Sequence, residues 1–504
     1  MLNSTPDPIR KIVIVGGGTA GWMTAAPLAQ KLGAGCRVEL VESAEIGAVG
    51  VGEATLPTIR FYNRALGIDA ADFIKKTQGT FKLGIEFRDW GHAGNRFFHG
   101  FGDYGPRIDN RSPHHDWLRL RALGETAAFE DTSMASVMAR HNVFAQPTGE
   151  RPSPLNAFSY AFHFDAGLYA AYLRDYATAR GVTRTEGRIV DVALRPEDGF
   201  ISHLILADGR RVEGDLFVDC SGFRALLIEG ALKSGFEDWS HWLPVNTALA
   251  VPSRRTAPLV PYTRCTARAA GWQWRIPLQS RTGNGHVFCD AFTNEDEAAR
   301  VLAAHLDAEA LDAPRRIRFT TGRRKRSWVK NCVAIGLSSG FLEPLESTSI
   351  QLIESGAGSL LELFPDLRFS PRLADEYNRR AAIWYENVRD FLILHYKLND
   401  RPEPFWRYCR DMAIPDRLTH QIETFRETGH AIVYDKDGFT EPSWLALYFG
   451  LGLTPCAYDP LADRIEAEAA RTHFARIRES VARAVAAMPQ AETYIERYLK
   501  AVPV

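Results

Sequence analysis

Paired cysteine motifs are absent from this chain. Its seven cysteines are an odd number, spread from Cys36 to Cys456, and no two form a Cys-x-x-Cys pair. Neither a disulfide framework nor a zinc site is therefore indicated, and no metal site is predicted. Isolated cysteines of this kind are typical of small core residues in a reducing cytosol.

Long apolar runs and an excess of one charge are also lacking. No uninterrupted apolar run approaches a membrane span, and the first residues lack a signal peptide's basic segment and apolar run. The formal net charge is −1, so nothing attracts the chain to nucleic acid or to acidic membranes. We expect a cytoplasmic protein with neither kind of partner.

The length of the chain predicts more than one subdomain. With 45% hydrophobic and 24% charged residues, the composition is ordinary for a globular protein. A chain of 504 residues, however, is too long for a single core. Internal repeats and low-complexity linkers are absent from the sequence. The subdomains are therefore expected to be interleaved along the chain.

A glycine-rich turn between a strand and a helix stands near the start of the chain. The apolar, β-branched run Lys11–Val15 leads into Gly16, Gly18 and Gly21, which have Gly-x-Gly-x-x-Gly spacing. The next apolar strand ends in Glu42, about twenty residues on, where an acid can bind ribose hydroxyls. This combination favours dinucleotide binding over a glycine turn without function.

Later segments favour FAD over NAD. A second glycine-rich stretch, 46–55, is expected to fold against the cofactor, and glycine-punctuated strands recur at 214–222 and 331–336. Glycine-punctuated strands this far apart in the sequence resemble the topology of the flavin monooxygenases. The predicted fold is α/β: a Rossmann-type FAD-binding domain of the flavin-monooxygenase kind, an interleaved substrate domain and a largely helical C-terminal part.

Six segments are predicted along the chain. Their order is the start of the FAD domain (1–55), substrate-side helices with an aromatic loop at Arg96–Tyr104 (56–180), the FAD domain continued (181–240), a β-rich segment (241–330), a flavin and halide segment (331–370) and a helical substrate cap (371–504).

The stretch Phe341–Ile350 allows two interpretations. Its small and acidic residues after an apolar strand suit a turn that holds a small anion beside the carboxylate of Glu346. The same residues suit an ordinary helix start, with Ser347 or Thr348 as the cap. The stretch alone favours the helix cap.

Three motifs together resemble the flavin-dependent tryptophan halogenases. They are Gly16-Gly-Gly-Thr-Ala-Gly-Trp22, Trp272-Gln-Trp-Arg-Ile-Pro277 and Glu343-Pro-Leu-Glu-Ser-Thr348, and the resemblance extends over nearly the whole chain. It implies an enzyme in which reduced FAD, oxygen and chloride or bromide yield hypohalous acid. A tunnel then leads this acid to a lysine beside the aromatic substrate.

The resemblance also implies the site residues. Lys82 and Glu346 are the expected catalytic pair; a surface lysine is the alternative for Lys82, but Lys75 and Lys76 suit that alternative better. Trp272 and Trp274 are class markers, although large tryptophans are also common in cores. The remaining expected residues are Gly16, Gly18, Thr19, Ala20, Gly21, Glu42, Val49, Gly50, Ala54, Gly336 and Leu345 for FAD, Thr348 and Ser349 for halide, and His99, Phe101, Phe439 and Trp444 for substrate.

Two departures from the family pattern stand out. Ser349 replaces a glycine that is frequent in the family, and it would be strained if that position needs a positive φ. The Phe-Trp and Tyr-Tyr pairs that hold the backbone of tryptophan are incomplete, with Phe439 retained and Trp444-Leu445 in place of the tyrosines. We therefore expect free indole or a derivative to be preferred over tryptophan.

The partners and rival functions follow from the same residues. No second complete glycine fingerprint provides an NAD(P)H site, so a separate flavin reductase is expected to supply the reduced FAD. A homodimer is left open. The rival functions are an FAD-dependent aromatic hydroxylase and a non-catalytic flavoprotein.

Overall fold

The computed structural model describes residues 7–44, 52–149, 156–434 and 438–500. The strands are β1 (Lys11–Val15), β2 (Arg37–Glu42), β3 (Gly52–Ala54), β4 (Thr80–Lys82), β5 (Gly84–Arg88), β6 (Arg96–Gly100), β7 (Ala161–Asp165), β8 (Thr183–Glu186), β9 (Ile189–Leu194), β10 (Ile201–Leu206), β11 (Arg211–Glu213), β12 (Leu216–Asp219), β13 (Phe236–Asp238), β14 (Thr247–Arg254), β15 (Thr263–Arg268), β16 (Gly271–Pro277), β17 (Arg281–Phe288), β18 (Arg315–Arg318), β19 (Gly322–Arg324), β20 (Trp328–Val329), β21 (Cys332–Ala334) and β22 (Gly340–Phe341). The α-helices are α1 (Thr19–Leu32), α2 (Thr58–Ala65), α3 (Ala70–Lys76), α4 (Pro113–Ala122), α5 (Met134–Arg140), α6 (Ala166–Thr178), α7 (Glu295–Ala304), α8 (Ser349–Glu362), α9 (Pro371–Lys397), α10 (Pro404–Asp411), α11 (Asp416–Thr428), α12 (Glu441–Gly450), α13 (Ala467–Ala486) and α14 (Ala491–Lys500).

The first of two compact units contains a parallel sheet of the Rossmann type. This unit comprises Met1–Gln78, Phe164–Pro244 and Phe319–Glu386. Its main sheet has the strand order β20-β21-β12-β1-β2-β8, and only β20 runs antiparallel to its neighbour. The carboxyl end of the central β1 leads straight into the glycine turn and α1, where ligands bind in such sheets. The predicted Rossmann-type fold is confirmed.

The antiparallel sheet β9-β10-β11 contributes its apolar face to the core of this unit. Ile201, Leu204 and Leu206 on β10 belong to one buried cluster with Val13 and Val15 of β1. Each such side chain stabilises the fold by about 1.5–3 kcal/mol when it leaves water. This antiparallel sheet therefore supports the strand that carries the glycine turn.

The second unit is built on a seven-stranded sheet. It comprises Gly79–His163, Val245–Arg318 and Asn387–Val504, with the strand order β18-β14-β17-β16-β15-β5-β6. The aromatic loop predicted at Arg96–Tyr104 is wrong for its first half, because Arg96–Gly100 is strand β6, paired antiparallel with β5. Aromatic side chains fit a pleated, half-buried surface well, and this preference decides the local structure here.

The C-terminal part is helical, as predicted. The segment predicted to be helical, 371–504, contains the long helix α9 and, near its end, α13 and α14. None of the helices that the structure describes is long and apolar enough to cross a membrane. The boundaries of the six predicted segments remain predictions.

A buried histidine in the large sheet gives the first testable prediction. The Nδ1–H of His286 on β17 donates to the carbonyl of Ala298, and burial lowers the pKa of His286 to about 4. In the unfolded chain this imidazole gains its proton near pH 6.5, whereas in the folded protein it stays neutral down to about pH 4. The contribution of His286 to the free energy of unfolding is therefore complete above pH 6.5 and is lost as the pH falls toward 4. Between pH 7.5 and 5 the loss is on the order of 2 kcal/mol.

Replacement of His286 by asparagine keeps a donor near the Nδ1 position but removes this titration. We expect the melting temperature of His286→Asn to fall less between pH 7.5 and 5 than that of the unchanged protein. Scanning fluorimetry at several pH values measures the difference, with the exposed His420→Asn as the matched control. Equal pH dependence in all three proteins would contradict the prediction.

Candidate active site

The glycine turn has the geometry of a phosphate cradle. Gly16 has φ +112°, and an added Cβ would lie 2.3 Å from the carbonyl oxygen of Cys220. At Gly21 an added Cβ would lie 1.8 Å from the carbonyl oxygen of Gly16. Gly18, just before α1, has no described atom within 4 Å of such a Cβ. Two glycines therefore serve the turn and its packing, while Gly18 leaves room for a pyrophosphate at the helix N-terminus.

The acid at the end of β2 is fixed beside this turn. The carboxylate of Glu42 accepts a hydrogen bond from the guanidinium of Arg184. An added Cβ on Gly17 would come 1.3 Å from its Oε2, so the carboxylate lies directly against the turn. This is the place where the glycine fingerprint predicts an acid, and the contact with ribose remains a prediction.

The other FAD candidates lie in the same unit. Gly336 has φ +78°, and an added Cβ there would lie 2.7 Å from the Cβ of Ala20, so these two candidates adjoin. The hydroxyl of Thr19 faces the carbonyl of Ala166 at 3.5 Å. Ala54 and Leu345 are buried. The remaining two candidates, Val49 and Gly50, lie outside the described residues.

The halide segment makes a tight turn before α8. Pro344–Glu346 form a 3₁₀ turn, Ser347 has φ +61°, and Ser349 is the first residue of α8. The left-handed backbone thus falls on Ser347, and the strain considered for Ser349 is absent because Ser349 is helical. Fully buried Glu346 ends the 3₁₀ turn.

Thr348 occupies the cap position of α8 without acting as a cap. Its side chain makes no capping hydrogen bond. Its buried Oγ1 has no hydrogen-bond partner among the described residues. The helix-cap interpretation is therefore wrong for Thr348, and a buried hydroxyl of this kind requires an explanation, since burying it without a partner is costly. A bound halide or flavin would supply one.

Lys82 is a fully buried lysine in the second unit. It ends β4, and its Nζ lies 5.2 Å from the centre of the Phe101 ring. An ammonium over an aromatic face is attracted by the ring quadrupole. Lys75 and Lys76, by contrast, are exposed. The surface interpretation is thus wrong for Lys82.

His163, which no motif or spacing indicated, holds the strand that carries Lys82. Thr80 donates its hydroxyl proton to the Pro277 carbonyl at 2.7 Å, so its oxygen accepts from Nδ1–H of His163 at 2.9 Å. Nε2 of His163 then accepts from the hydroxyl of Thr263 at 2.9 Å. Burial, and next the charge of Lys82, hold the pKa of His163 well below its usual value. The imidazole is neutral and fixed in one tautomer.

Phe391, which no sequence pattern singled out, contacts three of the four substrate candidates. Phe391 on α9 stacks on Phe439 with ring centres 3.7 Å apart and meets Trp444 edge-on at 5.1 Å. His99 lies 5.7 Å from Phe391 and 6.4 Å from Phe101. All five rings are buried. Such a cluster offers the flat surfaces that fix the plane of an aromatic substrate.

The two class-marker tryptophans lie on one strand of the large sheet. Trp272 and Trp274 are buried on β16, with ring centres 6.0 Å apart. Gly285 is the register partner of Trp274, and an added Cβ there would lie 2.1 Å from the Trp274 ring. The glycine therefore makes room for the tryptophan, as a packed core requires. A role beyond packing remains a prediction.

A model of the tryptophan halogenase family matches residues 11–467. The chain belongs to this family. BrvH, a flavin-dependent halogenase from Brevundimonas sp. BAL3, has a solved structure that is 48% identical, with a TM-score of 0.94 over 97% of this chain and 99% of that one. Xcc4156, a flavin-dependent halogenase from Xanthomonas campestris, is 44% identical, with a TM-score of 0.94 over 97% and 98%. Tryptophan 6-halogenase SttH from Streptomyces toxytricini is 36% identical over 98% of each chain.

These comparisons confirm the predicted resemblance and enzyme class. The chain is a flavin-dependent halogenase by family, with a flavin and a halide as the reagents of that class. They give no support to the expected preference for free indole over tryptophan, because SttH is a tryptophan 6-halogenase. The candidate residues divide between the units: the flavin and halide candidates and Glu346 in the first, Lys82 and the aromatic candidates in the second.

Proposed function

We propose that this enzyme attaches chlorine or bromine to the ring of an indole-type substrate, with Lys82 as the group that presents the halogen. The observation that carries the proposal is the fully buried side chain of Lys82, whose Nζ lies 5.2 Å from the centre of the Phe101 ring. Burying a charged lysine is costly, and such groups concentrate at functional sites. The aromatic cluster around Phe391 supports an aromatic substrate in the same unit.

The first unit would hold the oxidising reagents. Gly16 and Gly18 suit FAD, which when bound in its reduced form supplies, with oxygen, the oxidising power that converts halide into hypohalous acid. The hydroxyl of Thr348 and the backbone N–H of Ser349 would hold the halide. A separate flavin reductase would provide the reduced FAD, since the sequence contains a single complete glycine fingerprint.

The two catalytic candidates have different tasks. The ammonium of Lys82 would donate a hydrogen bond to the oxygen of hypohalous acid and so direct the halogen toward one ring carbon. The carboxylate of Glu346 would accept the proton that the ring loses after the halogen has bound. A dry environment for Lys82 prevents loss of the electrophile to water.

Removal of the Thr348 hydroxyl tests the halide site. We expect Thr348→Val to raise the half-saturating bromide concentration by about tenfold, since a hydrogen bond to a charged group contributes about 1.5 kcal/mol or more. Bromide titration of turnover measures this change. Thr348→Ser keeps the hydroxyl and is the matched control. A valine variant with unchanged bromide dependence would exclude contact between this hydroxyl and the halide.

The mass of the product shows which reaction the enzyme catalyses, and the ratio of kcat/KM for tryptophan to that for indole tests the substrate-binding residues. With a flavin reductase, FAD, oxygen and bromide, indole and tryptophan should each gain bromine rather than oxygen; oxygenated products would instead favour the hydroxylase. The incomplete backbone clamp predicts a kcat/KM for tryptophan no higher than for indole, whereas the relative SttH acts on tryptophan. In this part of the chain the structure shows a buried N–H of Trp444 without a described acceptor, which a substrate carbonyl or carboxylate could satisfy.

A further inference from the structure

Three side chains far apart in sequence meet in the second unit. One ring nitrogen of His115, one of His430 and one carboxylate oxygen of Asp459 all lie within 4.8 Å of one another. His115 lies in the first turn of α4, His430 follows the end of α11, and Asp459 precedes a 3₁₀ turn at Pro460–Arg464. We infer that these residues form a binding site for Zn²⁺ or a related first-row transition-metal ion.

The hydrogen bonds around His430 leave a lone pair on Nε2, the nitrogen that faces Asp459. Thr428 donates its only hydroxyl proton to the carbonyl of Thr424 at 2.7 Å. Its oxygen can therefore only accept from Nδ1–H of His430, 3.2 Å away. The proton is on Nδ1 and the lone pair on Nε2, which lies 4.0 Å from Oδ2 of Asp459. Metal-binding histidines are oriented by such a second hydrogen bond.

The other two groups also carry electron pairs on this side, that of His115 in a hydrogen bond which an ion would displace. Oδ1 of Asp459 accepts from the N–H of Leu461 at 2.8 Å, so Oδ2 is the oxygen that faces His430. Nδ1 of His115 accepts from the backbone N–H of Asp459 at 3.1 Å, so its lone pair also points at this segment. A metal ion would replace that hydrogen bond. His114 is not a ligand, because its two nitrogens are engaged with Ser112 and with the carbonyl of Gly429.

The distances between the three ligand atoms and the types of those atoms indicate which metal ion fits. Zn–N and Zn–O bonds of about 2.0–2.2 Å place ligand atoms about 3–3.5 Å apart, so a small movement completes the site. His430 can make it, since its side chain is 48% exposed. Two imidazoles and one carboxylate suit zinc, cobalt or nickel, whereas magnesium and calcium require oxygen ligands. Water would complete the coordination.

An ion here would link three segments that the backbone does not join. Gly429 already accepts from Nε2–H of His114 at 2.8 Å, which fixes the end of α11 on α4. The ion would add the segment before Pro460 to that contact. The chain beyond His430 leads to Phe439, one of the substrate candidates. The site is thus expected to stabilise this region, and it takes no part in the halogenation chemistry.

The test is a zinc titration of the EDTA-treated and dialysed full-length protein. Isothermal titration calorimetry should show one Zn²⁺ bound per chain. The affinity should fall by about tenfold or more in His430→Ala and in Asp459→Asn, where asparagine keeps the oxygen that accepts from Leu461. The exposed His420→Ala on α11 is the matched control and should bind like the unchanged protein.

Thermal unfolding gives a second readout that does not depend on halogenase activity. Zn²⁺ should raise the melting temperature of the unchanged protein and of His420→Ala but not of His430→Ala, while Mg²⁺ should raise none. Because His430 is half-exposed, its variant should fold and melt normally without metal. Absence of one-to-one binding, or equal affinity in His430→Ala and the unchanged protein, would overturn the inference.

Discussion

Replacement of Lys82 by methionine is expected to lower halogenation by about 10³-fold while FAD binding is retained. Methionine keeps much of the apolar length of the side chain but cannot donate a hydrogen bond to the halogen-bearing oxygen, and a positioned proton donor contributes about 10²–10⁴-fold. Lys82 belongs to the second unit and the glycine turn to the first. The flavin site should therefore be unchanged by this replacement. Brominated indole, quantified by mass spectrometry, measures turnover.

Lys75→Met is the matched control for this experiment. Lys75 is an exposed lysine on α3, and its replacement removes the same charge without entering the core. We expect its turnover to be unchanged. If Lys82→Met binds FAD and still brominates indole at the normal rate, Lys82 is not the group that presents the halogen, and the proposed chemistry is wrong.

Replacement of Glu346 by glutamine is expected to lower turnover by about 10²-fold. The amide has nearly the same shape as the carboxylate but cannot accept the proton that the ring loses, and a general base contributes about 10²–10⁴-fold. Because Glu346 is buried in a tight turn, the isosteric change disturbs packing least. Turnover of indole at saturating bromide separates this effect from halide binding.

The exposed Glu362→Gln at the other end of α8 is the control for Glu346. It should leave turnover and bromide dependence unchanged. A Glu346→Gln enzyme with normal turnover but weakened bromide binding would assign Glu346 to the halide site instead of to proton transfer.

Local signals predicted the parts of the site that rest on backbone conformation. The strand before Gly16 and the acid at the end of β2 depend on neighbouring residues, so spacing and propensity were sufficient to find them. The turn before α8 was not found in this way, because the stretch alone favoured a helix cap. The burial of Lys82 agrees with the apolar neighbours Phe81 and Leu83, which are also buried.

Contacts between distant segments could not be predicted in this way. Phe391 lies in an apolar helical stretch, where nothing distinguishes it from an ordinary core residue. His163 acquires its role only because its register partner is Thr80. His115 and His430 meet because α4 and α11 pack together. Each of these depends on tertiary structure, which periodicity does not encode.

The interleaving of the two units along the chain limits how new substrate preferences can arise by recombination. The chain passes from one unit to the other at residues 78, 163, 244, 318 and 386. A single crossover between related genes would therefore combine parts of both units rather than exchange one for the other. New substrate preferences are accordingly easier to reach by point replacements around Phe391 than by recombination, and laboratory evolution of this chain should favour focused libraries over domain shuffling.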